Sequence, residues 1–238
     1  MITTKQHYLE HLTSDMATTM LLRDVQFLEV GKPPVKFLGL MLSRDSQGFQ
    51  LSVNPQLIDD IIGDAGLGAS QRGGATAGMK ERGVDETPLT TEEHAYYWTQ
   101  VGRLLFLSSL RPDLQYAVGH LSRRVSKPTV SDRIALKKCL RFLQRTRDAV
   151  LNLHPHGRLA LTVWTDSDWA GVADRRSVSG GILQLCGCCV LSWSRTQSSY
   201  ALSSCEAELY ALGSGAVESL RAQAFLETMR GARATTAL

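Results

Sequence analysis

No stretch of this 238-residue chain approaches eighteen consecutive apolar residues, so no membrane-spanning helix is expected. The opening Met1-Ile2-Thr3-Thr4-Lys5-Gln6-His7 has no apolar run behind its lysine, which argues against a secretory signal. Cysteine is scarce and odd in number: there are five, three of them crowded into Cys186-Gly187-Cys188-Cys189. That pattern excludes a disulfide framework and points to reduced thiols in an intracellular setting. Cys186 and Cys189 alone have a zinc-knuckle spacing. No second pair accompanies them, so small buried or turn cysteines are expected rather than a zinc site. With 43% hydrophobic and 21% charged residues, the chain also lacks the compositional bias of a disordered or fibrous protein.

Acidic side chains are nearly missing from one stretch. Residues 96–150 carry 11 basic and 3 acidic side chains, against 8 and 13 in residues 1–95 and 7 and 7 in residues 151–238. The overall net charge of +3 hides this contrast. A strip of Lys and Arg attracts polyanions, nucleic-acid phosphate above all, with a merely solvated helix face as the competing reading.

Hydrophobic period divides the chain near residue 150. Residues 35–53 read as a hairpin, with Val35 to Leu42 as one strand, Asp45-Ser46-Gln47-Gly48 as the turn and Phe49 to Val53 alternating. Asn54-Pro55 then opens a helix with Leu57, Ile58, Ile61 and Ile62 at helical spacing. Residues 68–86 hold five glycines and read as a flexible loop. Thr90 to Glu93 fits a capping box ahead of a helix with Tyr97, Val101, Leu104, Leu105 and Leu107 on its apolar face. Arg111-Pro112-Asp113 breaks it, and a second helix runs from Asp113 toward Lys127-Pro128. A third spans about Ser131 to Arg147, with Ile134, Leu136, Cys139, Leu140 and Leu143 inward. Beyond 150 the period becomes two: strands are expected over 158–165, 180–186 and 190–194, with Gly187 at a turn, followed by a long helix from Ser203 to about Met229.

The second segment carries the sharpest chemical signal. Asp166 stands at a strand end, and Glu206 and Glu208 stand in the first turns of the long helix. Carboxylates converging from a strand end and a helix can hold a divalent metal for phosphodiester hydrolysis. On spacing alone, surface acids in turn and capping roles remain open. Ser203 and Glu206 fit a capping box, which accounts for Glu206 as a structural cap. Glu208 has no such role and is the better ligand candidate.

Several blocks occur in a fixed order: Phe37-Leu38-Gly39-Leu40 with Leu42-Ser43-Arg44-Asp45; Tyr97 with Val101 to Leu107 and Arg111-Pro112-Asp113-Leu114; Leu121-Ser122-Arg123, Pro128-Thr129 and Leu140 to Thr146; Asp166-Ser167-Asp168-Trp169-Ala170-Gly171; Arg176-Ser177-Val178-Ser179-Gly180; and Ala201-Leu202-Ser203-Ser204-Cys205-Glu206-Ala207-Glu208. In that order they resemble the C-terminal part of a copia-type LTR retrotransposon polyprotein: the end of its reverse transcriptase, then the start of its RNase H domain. The resemblance covers most of residues 35–229. It implies an α+β fold in two parts. Residues 1–150 would be a hairpin-plus-helices thumb/connection fragment, and residues 151–238 a truncated RNase H-like strand-strand-strand-helix module. It makes Asp166 and Glu208 the first two RNase H carboxylates and weak ligands for Mg²⁺. Asp168 matches the family pattern without being an expected ligand. Arg103, Arg123, Arg124, Lys137, Lys138, Arg141 and Arg145 would grip an RNA–DNA hybrid or template–primer.

The family's polymerase needs a Tyr-x-Asp-Asp motif ahead of the hairpin, and none occurs; Asp59-Asp60 lies after it, in a helix. After the long helix, Gly231 to Leu238 contains no acid, so the family's later RNase H aspartates have no counterpart there. The expectation is a nucleic-acid-binding, catalytically incomplete fragment of a retrotransposon polyprotein. It would act in the cytoplasm, a virus-like particle or the nucleus, alongside the rest of that polyprotein. A ribonuclease H completed by another chain, and a decayed reading frame without selected function, are the alternatives.

Overall fold

A computed structural model describes residues 6–21, 25–67, 75–78, 85–172, 174–230 and 235–237. The glycine-rich stretch read as a flexible loop falls mostly outside the described residues. The first element, α1 (Gln6–Thr19), was not anticipated from the sequence.

The expected hairpin is a four-stranded antiparallel sheet: β1 (Val35–Phe37), β2 (Leu40–Arg44), β3 (Phe49–Val53) and, returning from far along the chain, β4 (Leu151–Leu153). Val35 to Leu42 is not one strand. Leu38 and Gly39 both take positive φ, 50° and 82°, and reverse the chain so that Phe37 pairs with Leu40. A turn of that hand suits the right-handed twist of flanking strands, and glycine adopts it at little cost. At the next turn, the Asp45 carboxylate accepts from the Gln47 and Gly48 amides, each at 2.8 Å. β4 pairs with β3 in the register Phe49–Leu153. Residues 151–153 therefore belong to the first sheet, and the second begins at residue 160.

Four helices pack beside this sheet: α2 (Pro55–Asp64), α3 (Thr91–Ser108), α4 (Pro112–Arg123) and α5 (Val130–Arg145). Their ends follow local chemistry. Asn54 caps α2 by accepting from the Gln56 amide, with Pro55 in the first turn. Thr90 and Glu93 form the reciprocal capping box of α3. Pro112 starts α4, and the buried Asp132 accepts from both the amide and the hydroxyl of Thr129 at the start of α5. Burial of Ile61, Tyr97, Leu104, Leu107, Leu114, Leu121, Leu136, Leu140 and Leu143 builds one continuous core. The Tyr97 hydroxyl, enclosed in it, donates to the Leu121 carbonyl at 2.8 Å, which meets the requirement that a buried polar group be paired. Leu105 and Ile134, expected inward, are instead about half exposed, at 47% and 51%. Leu105 sits at the edge of its helix's apolar arc, whereas Ile134 lies roughly 120–180° round α5 from Leu136, Cys139, Leu140 and Leu143, on the opposite side of the helix.

The second sheet has the order β7-β6-β5-β8: β5 (Ala160–Asp168), β6 (Val178–Leu185), β7 (Cys188–Thr196) and β8 (Thr235–Ala237), with the helix α6 (Ser204–Arg230) between β7 and β8 in the chain. β5, β6 and β7 are antiparallel, and β8 runs parallel to β5. The expected strand-strand-strand-helix module thus gains a fourth strand, three residues long and too short to announce itself by periodicity. α6 covers the face bearing Leu161, Val163, Leu183 and Trp193. Gly215 makes that close: a Cβ there would lie 2.5 Å from Thr165 Cγ2. On the same face, Arg195 of β7 pairs with the buried Glu218 of α6 at 2.6 Å.

Candidate functional site

Strand alternation sorts the residues of β5. Leu161, Val163, Thr165 and Ser167 take the face covered by α6, and Trp164, Asp166 and Asp168 take the other. The burial pattern follows the same alternation, buried or intermediate on the α6 side and exposed at Trp164, Asp166 and Asp168.

Glu208 reaches this strand end from the first turns of α6. Its Oε1 accepts from the Ser167 hydroxyl at 2.8 Å and from the Ser167 amide at 3.3 Å. The structure therefore brings Glu208 to the residue next to Asp166. Both side chains are exposed, but Glu208 meets β5 on the α6 face, whereas Asp166 leaves the strand on the opposite face.

Glu206 behaves differently. Its amide donates to Ser203 Oγ at 3.1 Å, while its carboxylate accepts from the Leu202 amide and the Tyr210 hydroxyl, each at 2.7 Å. The return bond of a standard capping box has moved one residue upstream. The Leu202 amide, with help from the Tyr210 hydroxyl, holds the Glu206 carboxyl below the usual glutamate range.

Asp168 is occupied by a different partner. Its Oδ2 accepts from the Tyr116 hydroxyl of α4 at 2.6 Å. The carboxylate lies over Gly171, where a Cβ would come within 2.0 Å of it. Two further bonds join α4 to the sheet: Gln115 Nε2 to the Ser192 carbonyl at 3.1 Å and Arg123 to Thr196 Oγ1 at 3.3 Å. None of these contacts has a local sequence signal. Tyr116 and Asp168 lie fifty-two positions apart.

The basic stretch divides once side chains are placed. Arg111 is buried and holds Asp113 and Thr146, tying the end of α5 to the start of α4. Arg103 pairs with Asp64 at 2.5 Å and Arg124 with Asp132 at 3.4 Å. Arg123 sits half-buried in the α4–sheet seam, where burial lowers its pKa. Arg133 pairs with Glu93, and Arg147 with Asp59 at 2.6 Å. Lys137, Lys138, Arg141 and Arg145 are gathered on one face of α5, at spacings of one, four and eight residues. Among the described residues, Lys137, Lys138 and Arg145 have no carboxylate partner.

The cysteine cluster is a turn. Cys186 and Gly187 take positive φ between β6 and β7, Cys188 is buried, and the His156 ring lies against Gly187. Among the described residues, no group of three or more His, Cys, Asp or Glu side chains is placed to hold a metal ion. No described helix is long and apolar enough to cross a membrane.

No protein-family model matches the chain. It is 30% identical over 183 residues to an uncharacterized mitochondrial protein of Arabidopsis thaliana, covering 76% of this chain and 75% of that protein. It is 41% identical over 126 residues to the secreted RxLR effector protein 161 of Plasmopara viticola, covering 52% of this chain and 89% of that protein. It is 31% identical over 173 residues to the retrovirus-related Pol polyprotein from transposon RE2 of A. thaliana, covering 72% of this chain and 12% of the polyprotein. With motif blocks in the polyprotein's order and relatives of this extent, the chain belongs to the copia-type retrotransposon Pol polyprotein family, as a stretch of that polyprotein.

Proposed function

We propose that this stretch of the polyprotein binds an RNA–DNA hybrid or template–primer and carries part of a ribonuclease H site without completing it. It would work inside the cell, with the rest of the polyprotein. The observation that carries the reading is the meeting of Glu208 with the end of β5 at Ser167, one residue from Asp166. Lys137, Lys138 and Arg145 on the basic face of α5 support the binding half, because phosphate contacts are made by Lys and Arg that the protein does not already neutralise.

The donor set suits a hard cation only partly. Asp166 and Glu208 offer carboxylate oxygens, the type Mg²⁺ prefers. Glu208 Oε1 is already engaged by Ser167, which leaves little beyond one oxygen of Glu208 and the Asp166 carboxylate. Because Asp166 leaves the opposite face of β5 from Ser167, the two would reach one ion only around the exposed strand end, and would hold a single, largely hydrated Mg²⁺. When bound, such an ion would polarise a phosphoryl oxygen. Two-metal cleavage needs a clamp on both the attacking and the leaving oxygen, and these two residues do not supply it.

The test has two arms. Hybrid binding should weaken steeply between low and moderate salt and largely vanish in Lys137→Glu/Lys138→Glu/Arg141→Glu; binding indifferent to both would remove the binding half. Hybrid cleavage with Mg²⁺ should be absent or orders of magnitude below that of a complete ribonuclease H. Efficient cleavage by the pure chain, stopped by Asp166→Asn, would overturn the second half and favour an active nuclease.

A further inference from the structure

Between the start of α4 and the outer face of the second sheet lies a cleft of about 590 Å³. Its shape follows from contacts already described. Tyr116–Asp168 and Gln115–Ser192 pin α4 at the sheet, so Pro112, Gln115 and Tyr116 form one wall. Trp164 and Ile182, paired across β5 and β6, form the other.

Trp164 is unusual for a residue of this size in a strand. It is 63% exposed, yet its indole N–H donates to Gln184 Oε1 at 3.1 Å, which fixes the ring while leaving it open. It stands two residues from Asp166 on the same face.

The floor between the walls is kept low by Gly180, the Cα partner of both Asp166 and Ser194. A Cβ at Gly180 would meet nothing closer than 3.9 Å, so packing does not demand the glycine; its missing side chain is cleft space. The Ser194 hydroxyl is buried at this floor with no hydrogen-bond partner, and a buried polar group left unpaired is costly. Turned about χ1 into the space left open at Gly180, the hydroxyl would meet a ligand edge bearing a donor or an acceptor. A flat ring with apolar faces and a polar rim is the chemistry that two apolar walls, a hydroxyl floor and a carboxylate rim accept together.

We propose that this cleft takes a single nucleobase of an unpaired nucleic-acid strand, stacked on Trp164 with its edge at Ser194. This rests on the nucleic-acid reading above and adds to it a site separate from the basic face of α5. Aromatic platforms bind bases with little regard to sequence, because every base presents a π-face. The acids of the cleft are no obstacle to this occupant. Asp168 is bonded to Tyr116, and it is the uncharged base rather than its phosphate that enters.

The experiment uses the full chain and single-stranded hexamers of adenylate, as RNA and as DNA, followed by tryptophan fluorescence and by anisotropy of labelled hexamer. Saturating hexamer should quench the part of the emission that Trp164→Phe removes. Trp164→Ala should weaken hexamer binding about tenfold, the scale of one lost base stack, with the salt slope unchanged. Gly180→Val, which fills the floor without touching Trp164, should weaken it similarly, and thermal melting of both variants shows whether they fold. Full-strength binding by both variants, or Trp164 emission unchanged at saturation, overturns the proposal. The charge-reversed α5 variant separates the two readings. If it binds hexamer as the parent does while Trp164→Ala does not, the cleft stands and the basic face falls. The converse pattern removes the cleft alone, and no hexamer binding at any salt removes both.

Discussion

The helical half and the second sheet solve the burial problem differently. In the helical half, α2 to α5 enclose a core in which Tyr97, Leu104, Leu107, Leu114 and Leu143 have no solvent contact at all. In the second half, a sheet packs one face on α6 through the small cluster Leu161, Val163, Leu183 and Trp193. Its other face is met only in part, by α4. α6 itself is apolar on both sides: Ala207 and Ala211 are buried against the sheet, while Leu209, Leu220 and Phe225 are each about 64–65% exposed. An amphipathic helix seals a core with one stripe, and a helix with apolar side chains on both sides leaves some of them unsealed. The contrast teaches where each half can tolerate change: packing fixes the first, while the second has both tight and open surfaces within a single helix.

The largest difference should come from leucines. Leu140→Ala in the helical core should cost about 2–5 kcal/mol, from lost transfer energy plus the cavity left behind. Leu220→Ala on the outer side of α6 should stay within about 0.5 kcal/mol. Urea unfolding of the two variants measures both. Equal losses would mean that the outer face of α6 is buried in solution.

A sharper comparison lies within α6. Gly215→Ala drives a methyl into Thr165 Cγ2 and within 3.0 Å of Val163 Cγ1, whereas Gly213 has nothing within 4 Å of a new Cβ. The first should destabilise by about 1–3 kcal/mol. The second should stabilise by up to about 1 kcal/mol through helix propensity. Opposite shifts in melting temperature are expected; shifts of the same sign would contradict the packing of α6 on β5.

The Arg195–Glu218 pair gives the second half a pH signature. Arg195 holds the Glu218 carboxyl below its ordinary value. The stability it contributes is therefore present above the unfolded glutamate value of about 4.3 and is lost as pH falls through the lower folded value. Glu218→Gln should flatten that part of the acid profile. An unchanged profile would mean the pair adds nothing to folding.

The smallest effect compares helix caps. Thr90→Ala removes half of a reciprocal pair and should cost about 1 kcal/mol. Ser203→Ala should cost less, because Glu206 keeps its bonds to Leu202 and Tyr210. Thermal melts in the same buffer rank the two.

Local chemistry in the sequence anticipates a good deal of this molecule. Asn54-Pro55, Thr90-Glu93 and Arg111-Pro112 mark helix starts that the structure places within a residue or so. Gly187 marks the β6–β7 turn, and the change of period near residue 150 marks the passage from helices to strands. Three-residue spacing accounts for the Glu206 amide on Ser203 Oγ, but not for the return bond, which the Glu206 carboxylate makes to Leu202 instead of Ser203. Leu38-Gly39 was not readable, since an apolar run conceals a reversal that depends on two positive φ angles.

What the sequence by itself determined are these short-range features: element type, caps, turns, the ordered motif blocks of the copia-type family, and the excess of positive charge between residues 96 and 150. Only the tertiary structure decided which of those charges stay available. Arg103, Arg111, Arg123 and Arg124 are engaged by groups from other parts of the fold, while Lys137, Lys138 and Arg145 share one helix face without a carboxylate partner among the described residues. It also decided that β4 returns to the first sheet, that β8 lies parallel to β5, and that Asp168 bonds Tyr116. The physical reason is common to all of them. Periodicity and capping are set by residues within about one or two turns of each other, whereas these pairings join groups far apart in the chain and arise from the packing of complete elements.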